Sequence, residues 1–290
     1  MDSSGAPRAD RGEEPGMERS LAGRTILMSG GSRGIGLAIA LRAAKDGARV
    51  ALLAKTAEPH PKLEGTVHTA AAAIEAAGGS ALPVVGDVRS DADVERAVAA
   101  AAERFGGIDI VVNNASAIDL TPTADIRMKS YDLMQDINTR GTLLLTKTAL
   151  PHLRRSAHAH VLTLSPPLNL APHWPGRHLP YTLAKYGMSL CTLGFAHEFA
   201  ADGIAANSLW PRTLIDTAAV RNLLGGAERS RSAEIVADAA YAILSRDPRT
   251  CTGRHFLDDE VLAEEGVTDL SGYRAAGAEG ELEPDLFLDA

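Results

Sequence analysis

The amino-acid sequence predicts an α/β fold, a single doubly wound domain with a parallel sheet and helices on both faces. Three observations support this. Short apolar runs that suit buried strands alternate with longer segments that suit helices. The links between them are short and rich in Gly or polar residues. A Gly-rich turn lies between the first strand and the first helix, where such folds bind a nucleotide.

Seven strands are expected from runs of aliphatic residues. A strand that is buried on both faces reads as a continuous apolar run rather than an alternating one. The predicted strands are 25–28, 49–53, 81–85, 108–112, 160–164, 204–209 and 253–257.

Six helices are expected between these strands. Several are followed by Gly, the residue that most easily adopts the left-handed conformation that ends a helix, and Ser90 is a plausible N-cap. The predicted helices are 37–46, 66–77, 91–105, 128–153, 181–201 and 233–244.

The domain is expected to span residues 21–257. Residues 1–20 are polar and rich in Gly and Pro, which indicates a disordered leader without the apolar core of a signal peptide. Residues 258–290 form an acidic tail that ends in the apolar Leu286-Phe287-Leu288, and we expect this tail to pack on the same domain.

Composition narrows the classes of function. Hydrophobic residues make up 45% and charged residues 23% of the chain, as in an ordinary globular protein. The net charge of −8 argues against a nucleic-acid partner, which would need a basic face. No apolar run approaches the ~20 residues that span a membrane. Cys191 and Cys251 lie far apart without metal-ligand spacing, Cys191 is expected to be buried, and the pair suits a reducing cytoplasm.

Tyr181 and Lys185 are the candidate catalytic pair. Residues four apart on a helix share a face, so the Lys ammonium can lower the pKa of the phenol from its usual value of about 10. A Tyr tuned in this way can pass a proton to or from a substrate oxygen.

The Gly-rich turn is the candidate phosphate site. Gly30, Gly34 and Gly36 follow a strand and open a helix, with Ser32, Arg33 and Ile35 between them. Glycine allows the backbone to approach a pyrophosphate closely, and the N–H groups at the start of a helix attract the anion.

Together these motifs resemble the short-chain dehydrogenase/reductase family, which has a Rossmann fold. The spacing Gly-x-x-x-Gly-x-Gly, the sequence Asn113-Asn114-Ala115 after the fourth strand and the pair Tyr181/Lys185 occur in the order typical of that family. The resemblance covers residues 21–257. A narrower resemblance, to hydroxysteroid dehydrogenase-like members of the family, rests on residues 54–63, 114–118, 165–170 and 184–188. Such members carry a sterol-carrier domain after the reductase domain, and we expect this chain to lack it.

The resemblance implies a nicotinamide cofactor, and the residues after the second strand favour NADP(H). That strand ends in Ala54-Lys55-Thr56, without the acid that selects NAD. Lys55 and Arg33 could bind a 2′-phosphate, or they could be two solvated cations; His60 and Lys62 could add contacts. Asp87 and Val88 match the position beside the adenine. The expected cofactor-binding residues are Gly30, Ser32, Arg33, Gly34, Ile35, Gly36, Lys55, Thr56, Asp87, Val88, Asn114, Ala115, Ser116, Tyr181, Lys185, Pro211 and Thr213.

By resemblance, Tyr181 is the general acid/base, Lys185 holds the nicotinamide ribose, and Asn138 fixes a proton-relay water. Asn138 could instead cap a kink in its helix. The family's Ser is less clear, because Ser165 lies slightly early and Pro166 occupies the usual position. Either the loop brings Ser165 into place or Tyr181 polarises the substrate alone.

Two further departures lie near the nicotinamide end. Ser116 replaces the Gly of the Asn-Asn-Ala-Gly motif. Trp210-Pro211-Arg212-Thr213 replaces the usual Pro-Gly, so that Arg212 either meets an anionic part of the substrate or points to solvent. Thr213 or Thr217 could contact the carboxamide.

Two other features have simpler readings. His152, His158 and His160 have no acid or Cys beside them, which favours a solvated loop and no metal. Residues 188–199 form a broad apolar helix surface, which by resemblance implies a homodimer or homotetramer, although a fully buried helix would look the same.

The sequence therefore predicts an NADP(H)-dependent oxidoreductase that moves hydride between nicotinamide and the carbonyl or alcohol carbon of an apolar, fatty acyl or steroid-like substrate. One alternative is a non-catalytic NADP- or lipid-binding protein on the same fold, favoured by Pro166 and Arg212. Another is an enoyl reductase.

Overall fold

A seven-stranded parallel sheet forms the centre of the computed structural model, which describes residues 19–59, 64–218 and 220–289. The strand order is β3-β2-β1-β4-β5-β6-β7. The order reverses between β1 and β4, so the carboxyl ends of these two strands open into a crevice. The strands are β1 (Thr25–Ser29), β2 (Arg49–Ala54), β3 (Ser80–Val85), β4 (Ile110–Asn113), β5 (His160–Thr163), β6 (Ala205–Trp210) and β7 (His255–Leu257).

Helices cover both faces of the sheet, and alternate residues of each strand serve the two layers. Ile26 and Met28 face the side of α1, α2 and α7, whereas Leu27 faces the side of α3, α5 and α6. The predicted doubly wound fold is thereby confirmed. The helices are α1 (Gly34–Ala44), α2 (Val67–Ala76), α3 (Asp91–Phe105), α4 (Met128–Met134), α5 (Gly141–Leu153), α6 (His173–Glu198), α7 (Glu234–Leu244) and α8 (Asp258–Glu264).

Local sequence signals set several of these boundaries. Thr66 and Thr69 form a reciprocal cap at the start of α2, and Ser90 accepts a hydrogen bond from the Asp93 N–H at the start of α3. Gly106 ends α3 in the left-handed conformation, with φ 86°.

Besides small shifts at the ends of other elements, three larger differences separate the structure from the sequence prediction. The helix expected at 181 begins at His173 and has a break at His178, where φ is −143° and ψ is 52°. The helix expected over 128–153 is divided by a π-helical segment, Gln135–Arg140. The tail contains an unforeseen helix, α8. Its first turn carries Asp258, Asp259 and Glu260, which stabilise the positive end of the helix dipole.

Of the predicted leader, residues 1–18 lie outside the described part of the chain, as do His60 and Lys62. Within the described part, no helix is both long enough and apolar enough to cross a bilayer.

Candidate active site

The Gly-rich turn lies at the crevice between β1 and β4, where little space is left for side chains. Gly30 has φ 76°, and a Cβ on it would lie 2.8 Å from the Ala115 Cα. A Cβ on Gly36 would lie 2.5 Å from Asn114 Nδ2. Gly34 also has a positive φ, 55°, and opens α1. These positions require glycine for conformation or for space.

Asn114 and Ala115 hold this turn against the end of β4. Asn114 Nδ2 donates to the Gly30 carbonyl at 2.8 Å, and the N–H groups of Asn114 and Ala115 donate to the Ser29 hydroxyl at 3.3 and 3.2 Å. The result is a rigid backbone surface beside the amino terminus of α1. Such a surface fits the pyrophosphate of a dinucleotide.

The residues expected at the adenosine end lie together, but they are already paired. Lys55 Nζ is 3.1 Å from an Asp87 carboxylate oxygen, and Arg89 donates to the same carboxylate at 2.7 Å. The Arg89 and Lys55 contacts hold the pKa of Asp87 well below its usual range. Arg33 donates to the Gly65 carbonyl at 2.8 Å, while its buried Nε has no partner among the described residues. A new anion here would compete with Asp87 for Lys55.

The remaining predicted members of this region have structural contacts. The Thr56 carbonyl accepts from the Val67 N–H at 2.8 Å. Val88 is buried and packs against the α5 start, because a Cβ on Gly141 would lie 3.1 Å from its methyl groups. Ser32 lies in the turn and Ile35 at the start of α1. The Ser116 hydroxyl donates to the Ala117 carbonyl at 3.5 Å.

Tyr181 and Lys185 share the buried face of α6, at 4% and 3% exposure. Lys185 Nζ donates to the Leu164 carbonyl at 2.8 Å and lies 5.0 Å from the centre of the Trp210 ring. Burial lowers the pKa of Lys185 to about 7. Burial also raises the pKa of Tyr181, with a contribution from the charge of Asp285. This is opposite to the direction expected from the sequence, because desolvation of the phenolate outweighs any help from a Lys that is itself only partly charged.

Asn138 is fully buried in the π-helical segment. Its Oδ1 accepts from the Ala117 N–H at 2.8 Å, and its Nδ2 donates to the Ala117 carbonyl at 3.1 Å. The extra residue of the π turn turns the side chain inward, and π turns occur often at functional sites. Asn138 thus fixes the chain that leaves β4, directly beyond Asn114 and Ala115.

Ser165 is fully buried, and its hydroxyl has no hydrogen-bond partner in the described structure. An unpaired buried hydroxyl is costly, so this group would gain from a hydrogen bond to a water or to a ligand atom that reached it. The neighbouring Pro166 carbonyl accepts from the Ser189 hydroxyl at 2.6 Å, which fastens the loop to α6.

The segment after β6 does not present Arg212 to the site. Arg212 donates to Asp259 at 2.9 Å and to Glu260 at 2.6 Å. It therefore binds α8, so the structure gives no support to the hypothesis that Arg212 meets an anionic part of the substrate, and it does not simply point to solvent either. Pro211 and Thr213 are both shielded, and the Thr213 hydroxyl has no described partner. Thr217 lies over the Gly turn, 3.4 Å from a Cβ built on Gly34.

Sequence reasoning missed the aromatic cluster beside Tyr181. Phe287, from the tail, packs against Trp174, Tyr181, Tyr186 and Trp210, with ring centres 5.2–6.1 Å apart. The apolar Leu286-Phe287-Leu288 in an acidic tail was the available signal. Nothing in the sequence shows where such a segment docks.

The prediction of a solvated His loop is wrong for two of its three residues. His158 and His160 are buried, and their rings bond the Leu244 and Arg246 carbonyls. Burial lowers the pKa of His160 to about 3, so it is neutral. These rings tie β5 to the end of α7 and are structural. Cys191 also differs from expectation, because it is only partly buried.

Comparison with known proteins identifies the family. The short chain dehydrogenase family model matches residues 24–225. The chain belongs to the short-chain dehydrogenase/reductase family. It is 56% identical to hydroxysteroid dehydrogenase-like protein 2 of Danio rerio over 272 residues, covering 93% of this chain and 65% of that protein. The narrower resemblance is thereby confirmed as well. The chain spans slightly less than two thirds of the length of that curated relative.

Two solved structures are also similar. A putative dehydrogenase from Xanthomonas campestris is 54% identical with a TM-score of 0.91, covering 93% of this chain and 100% of that one. A short chain dehydrogenase from Mycobacterium thermoresistibile is 54% identical with a TM-score of 0.88, covering 93% and 97%. Members of this family are oxidoreductases that use nicotinamide cofactors and small-molecule substrates.

Proposed function

We propose that this protein is an NADP(H)-dependent oxidoreductase acting on the carbonyl or alcohol carbon of an apolar substrate. The observation that carries the proposal is the arrangement at the carboxyl ends of β4 and β5. Tyr181 and Lys185 lie on one buried face of α6, and Lys185 is bonded to the Leu164 carbonyl just beyond β5. Ser165 follows, and its buried hydroxyl has no partner within the part of the chain that the structure describes.

A bound nicotinamide would supply hydride to the substrate carbon or accept it. The protein would handle the proton. In ketone reduction the Tyr181 hydroxyl donates its proton to the substrate oxygen, leaving an alcohol and a phenolate. In oxidation the phenolate takes the alcohol proton. Lys185 lies one helical turn away, and in its charged form it stabilises the phenolate.

Ser165 and Asn138 would assist this transfer. The Ser165 hydroxyl can donate to the substrate oxygen and thereby polarise it. Asn138 holds the Ala117 backbone beside the crevice through two hydrogen bonds, and we propose that this keeps a polar path for the proton open. Both roles depend on the substrate oxygen lying near Tyr181.

The preference for NADP(H) rests on the end of β2. The end of that strand, Ala54-Lys55-Thr56, has no acid, and among the described residues Lys55 and Arg33 are cations near the Gly turn. A 2′-phosphate carries more charge than the Asp87 carboxylate that now holds Lys55 at 3.1 Å, so the exchange of one anion for the other is favourable for Lys55. The buried Arg33 Nε, which has no hydrogen-bond partner among the described residues, would offer a second donor.

An apolar substrate suits the surroundings of Tyr181. Trp174, Tyr186, Trp210 and Phe287 line that region, and the Arg212 charge is neutralised by α8. A fatty acyl or steroid-like ketone would bury its hydrocarbon part against these rings.

The non-catalytic alternative also has an observation in its favour. Tyr181 is almost wholly covered, and the usual Ser position is taken by Pro166. A protein that only binds NADP or a lipid would tolerate both features. It would have no need for Lys185, Asn138 and Tyr181 together. An enoyl reductase would use the same groups on a C=C bond.

We also propose that the chain forms a homodimer or homotetramer and acts in the cytoplasm. Leu143 of α5 and Leu183, Leu190 and Leu193 of α6 are exposed, and a second copy would cover them. The two cysteines are free thiols, as in a reducing compartment. Sedimentation of the purified chain tests the first proposal.

The test of the activity is turnover of NADPH and of NADH with a panel of acyl and steroid carbonyls, with product analysis. We expect the carbonyl to be reduced to an alcohol, and we expect NADPH to support this reaction better than NADH does. Reduction of a C=C bond instead would support the enoyl alternative. NADPH binding without turnover across the panel would support the non-catalytic one.

A further inference from the structure

The C-terminal segment (residues 283–289) is bound to the rim of the candidate site by its backbone. Pro284 pairs with Thr213 in an antiparallel bridge, flanked by hydrogen bonds from the Leu214 N–H to the Glu283 carbonyl at 2.9 Å and from the Asp285 N–H to the Arg212 carbonyl at 3.1 Å. Trp210 Nε1 donates to the Leu286 carbonyl at 3.0 Å. The C-terminal segment is thus fixed by the same residues that follow β6 at the site.

The end of the segment is also anchored on its other side. The Asp289 carboxylate accepts from Asn169 at 2.7 Å and from Trp174 Nε1 at 3.1 Å, and it pairs with His173 at 2.9 Å. These anchors hold Phe287 between the two indole rings.

Phe287 has an unusual backbone. Its φ is 73°, and it is the one non-glycine residue with a positive φ among the described residues. A bulky residue in this conformation is strained, and such strain persists only where the surroundings impose it, often at functional sites. Here the conformation directs the ring inward, where it is 2% exposed.

The inward ring covers the candidate acid/base. The Phe287 ring lies 5.9 Å from the Tyr181 ring at an interplanar angle of 30°, a stacked arrangement. Trp174 and Tyr186 close the cluster at 5.8 and 5.2 Å. A phenol that must deliver a proton to a carbonyl oxygen needs its ring held in one orientation.

We propose that Phe287 is a positioning residue, which holds the Tyr181 ring in its reactive orientation and keeps water from its face. The C-terminal segment then contributes a side chain that the active site needs. This inference rests on the proposed function, because it assigns Phe287 a role in the proton transfer by Tyr181.

Burial and nearby charged groups together set the pKa values of Tyr181 and Lys185. Burial raises the pKa of Tyr181 and lowers that of Lys185, and the charge of Asp285, two residues before Phe287, adds to the first shift and opposes the second. Burial also raises the pKa of Asp285 itself to about 7. Asp258 of α8 is the next acid, and Arg231 lies beyond it. Removal of Phe287 would admit water to Tyr181 and bring its raised pKa down toward the ordinary value.

The experiment uses Phe287→Ala, the conservative Phe287→Leu and a matched control, Phe105→Ala. Phe105 ends α3 shortly before β4 begins, so it lies towards the amino ends of the strands, away from the carboxyl ends where the candidate site lies. Trp174 and Trp210 are the two tryptophans of the chain, and both contact Phe287. Tryptophan emission therefore reports directly on this cluster.

For Phe287→Ala we expect red-shifted emission, unchanged NADPH affinity and a kcat lowered by about ten- to hundredfold, since a small misplacement of a reacting group has that effect. The midpoint of its pH–kcat profile should move to lower pH. Phe287→Leu should recover part of kcat, and Phe105→Ala should behave as wild type. Unchanged kcat despite red-shifted emission would refute the positioning role. A raised kcat would also refute it, by showing that the segment obstructs the site.

A separate readout distinguishes failure of this inference from failure of the proposed function. The Tyr181 phenol is titrated by ultraviolet absorbance in wild type and Phe287→Ala, with Tyr181→Phe in each background to identify its signal. A lower phenol pKa in Phe287→Ala supports the role of Phe287, and an unchanged pKa contradicts it. If wild type binds NADPH but reduces no carbonyl, the proposed function fails, whichever result the titration gives.

Discussion

Replacement of Gly36 by Ala tests whether the Gly turn is built for close approach. A Cβ at this position would lie 2.5 Å from Asn114 Nδ2 and 2.8 Å from the Gly30 carbonyl oxygen. Unstrained contacts of this kind are roughly 3.5 Å, so Asn114 must move by about 1 Å. That movement breaks its 2.8 Å bond to Gly30.

The magnitude follows from three contributions. Overpacking costs about 1–3 kcal/mol, and an unpaired buried carbonyl costs about 1–3 kcal/mol. The better helix propensity of Ala returns about 1 kcal/mol. The net expectation is a loss of about 1–5 kcal/mol in the free energy of unfolding, together with weaker NADPH binding, because the displaced turn can no longer hold a pyrophosphate.

The assay is thermal unfolding with and without NADPH, and Gly194→Ala is the matched control. Gly194 lies in α6 with nothing within 4 Å of a built Cβ. Its substitution should raise stability by about 0.4–1 kcal/mol and leave NADPH binding unchanged. Equal effects of Gly36→Ala and Gly194→Ala on stability and on NADPH-induced stabilisation would show that the turn does not need glycine at position 36.

Two further predictions concern Lys55 and Asp258. Lys55→Ala should weaken NADPH binding by about tenfold, because one charge-assisted hydrogen bond to the 2′-phosphate is lost, and should leave NADH binding nearly unchanged. Fluorescence titration measures both affinities. Equal losses of affinity for the two nucleotides would count against the NADP assignment. Burial raises the pKa of Asp258 to about 6. The stability that its neutral form provides is therefore complete below the unfolded value near 3.8 and is lost as pH rises through about 6. Asp258→Asn keeps the acceptor for the Arg212 and Asp259 N–H groups. Its stability relative to wild type should rise by roughly 2 kcal/mol between pH 4 and pH 8, because at pH 4 wild type has already lost part of the stabilisation. Denaturant unfolding at the two pH values measures this, and a pH-independent difference would contradict it.

The sheet was predictable because each strand is a short apolar run and each turn carries its own local signal. The Gly turn, Asn114 and the Tyr181/Lys185 pair are likewise local in sequence, and the fold brings them to one crevice. The start of α6 at His173 was not predictable, because Pro175 and Pro180 suggest a loop. The break at His178, where the ring bonds the Leu120 carbonyl at 3.0 Å, reconciles these residues with a helix.

Long-range contacts account for the other differences. From the sequence, Arg212 is a cation near the substrate, but in the structure it pairs with Asp259 and Glu260 of α8. From the sequence, His158 and His160 lie in a solvated loop, but in the structure both rings are buried and bond to backbone carbonyls at the end of α7. Phe287 reaches Tyr181 across more than a hundred residues. No periodicity or spacing encodes such pairings, so they require the tertiary structure.

The most direct test of the central claim compares wild type with Tyr181→Phe. Both are saturated with NADPH and given the best carbonyl substrate of the panel, and alcohol formation is measured. The account predicts that Tyr181→Phe binds NADPH normally, since the ring and its packing are kept, and loses about 10²–10⁴-fold in kcat, the contribution of a positioned general acid. Retention of wild-type turnover by Tyr181→Phe would contradict it.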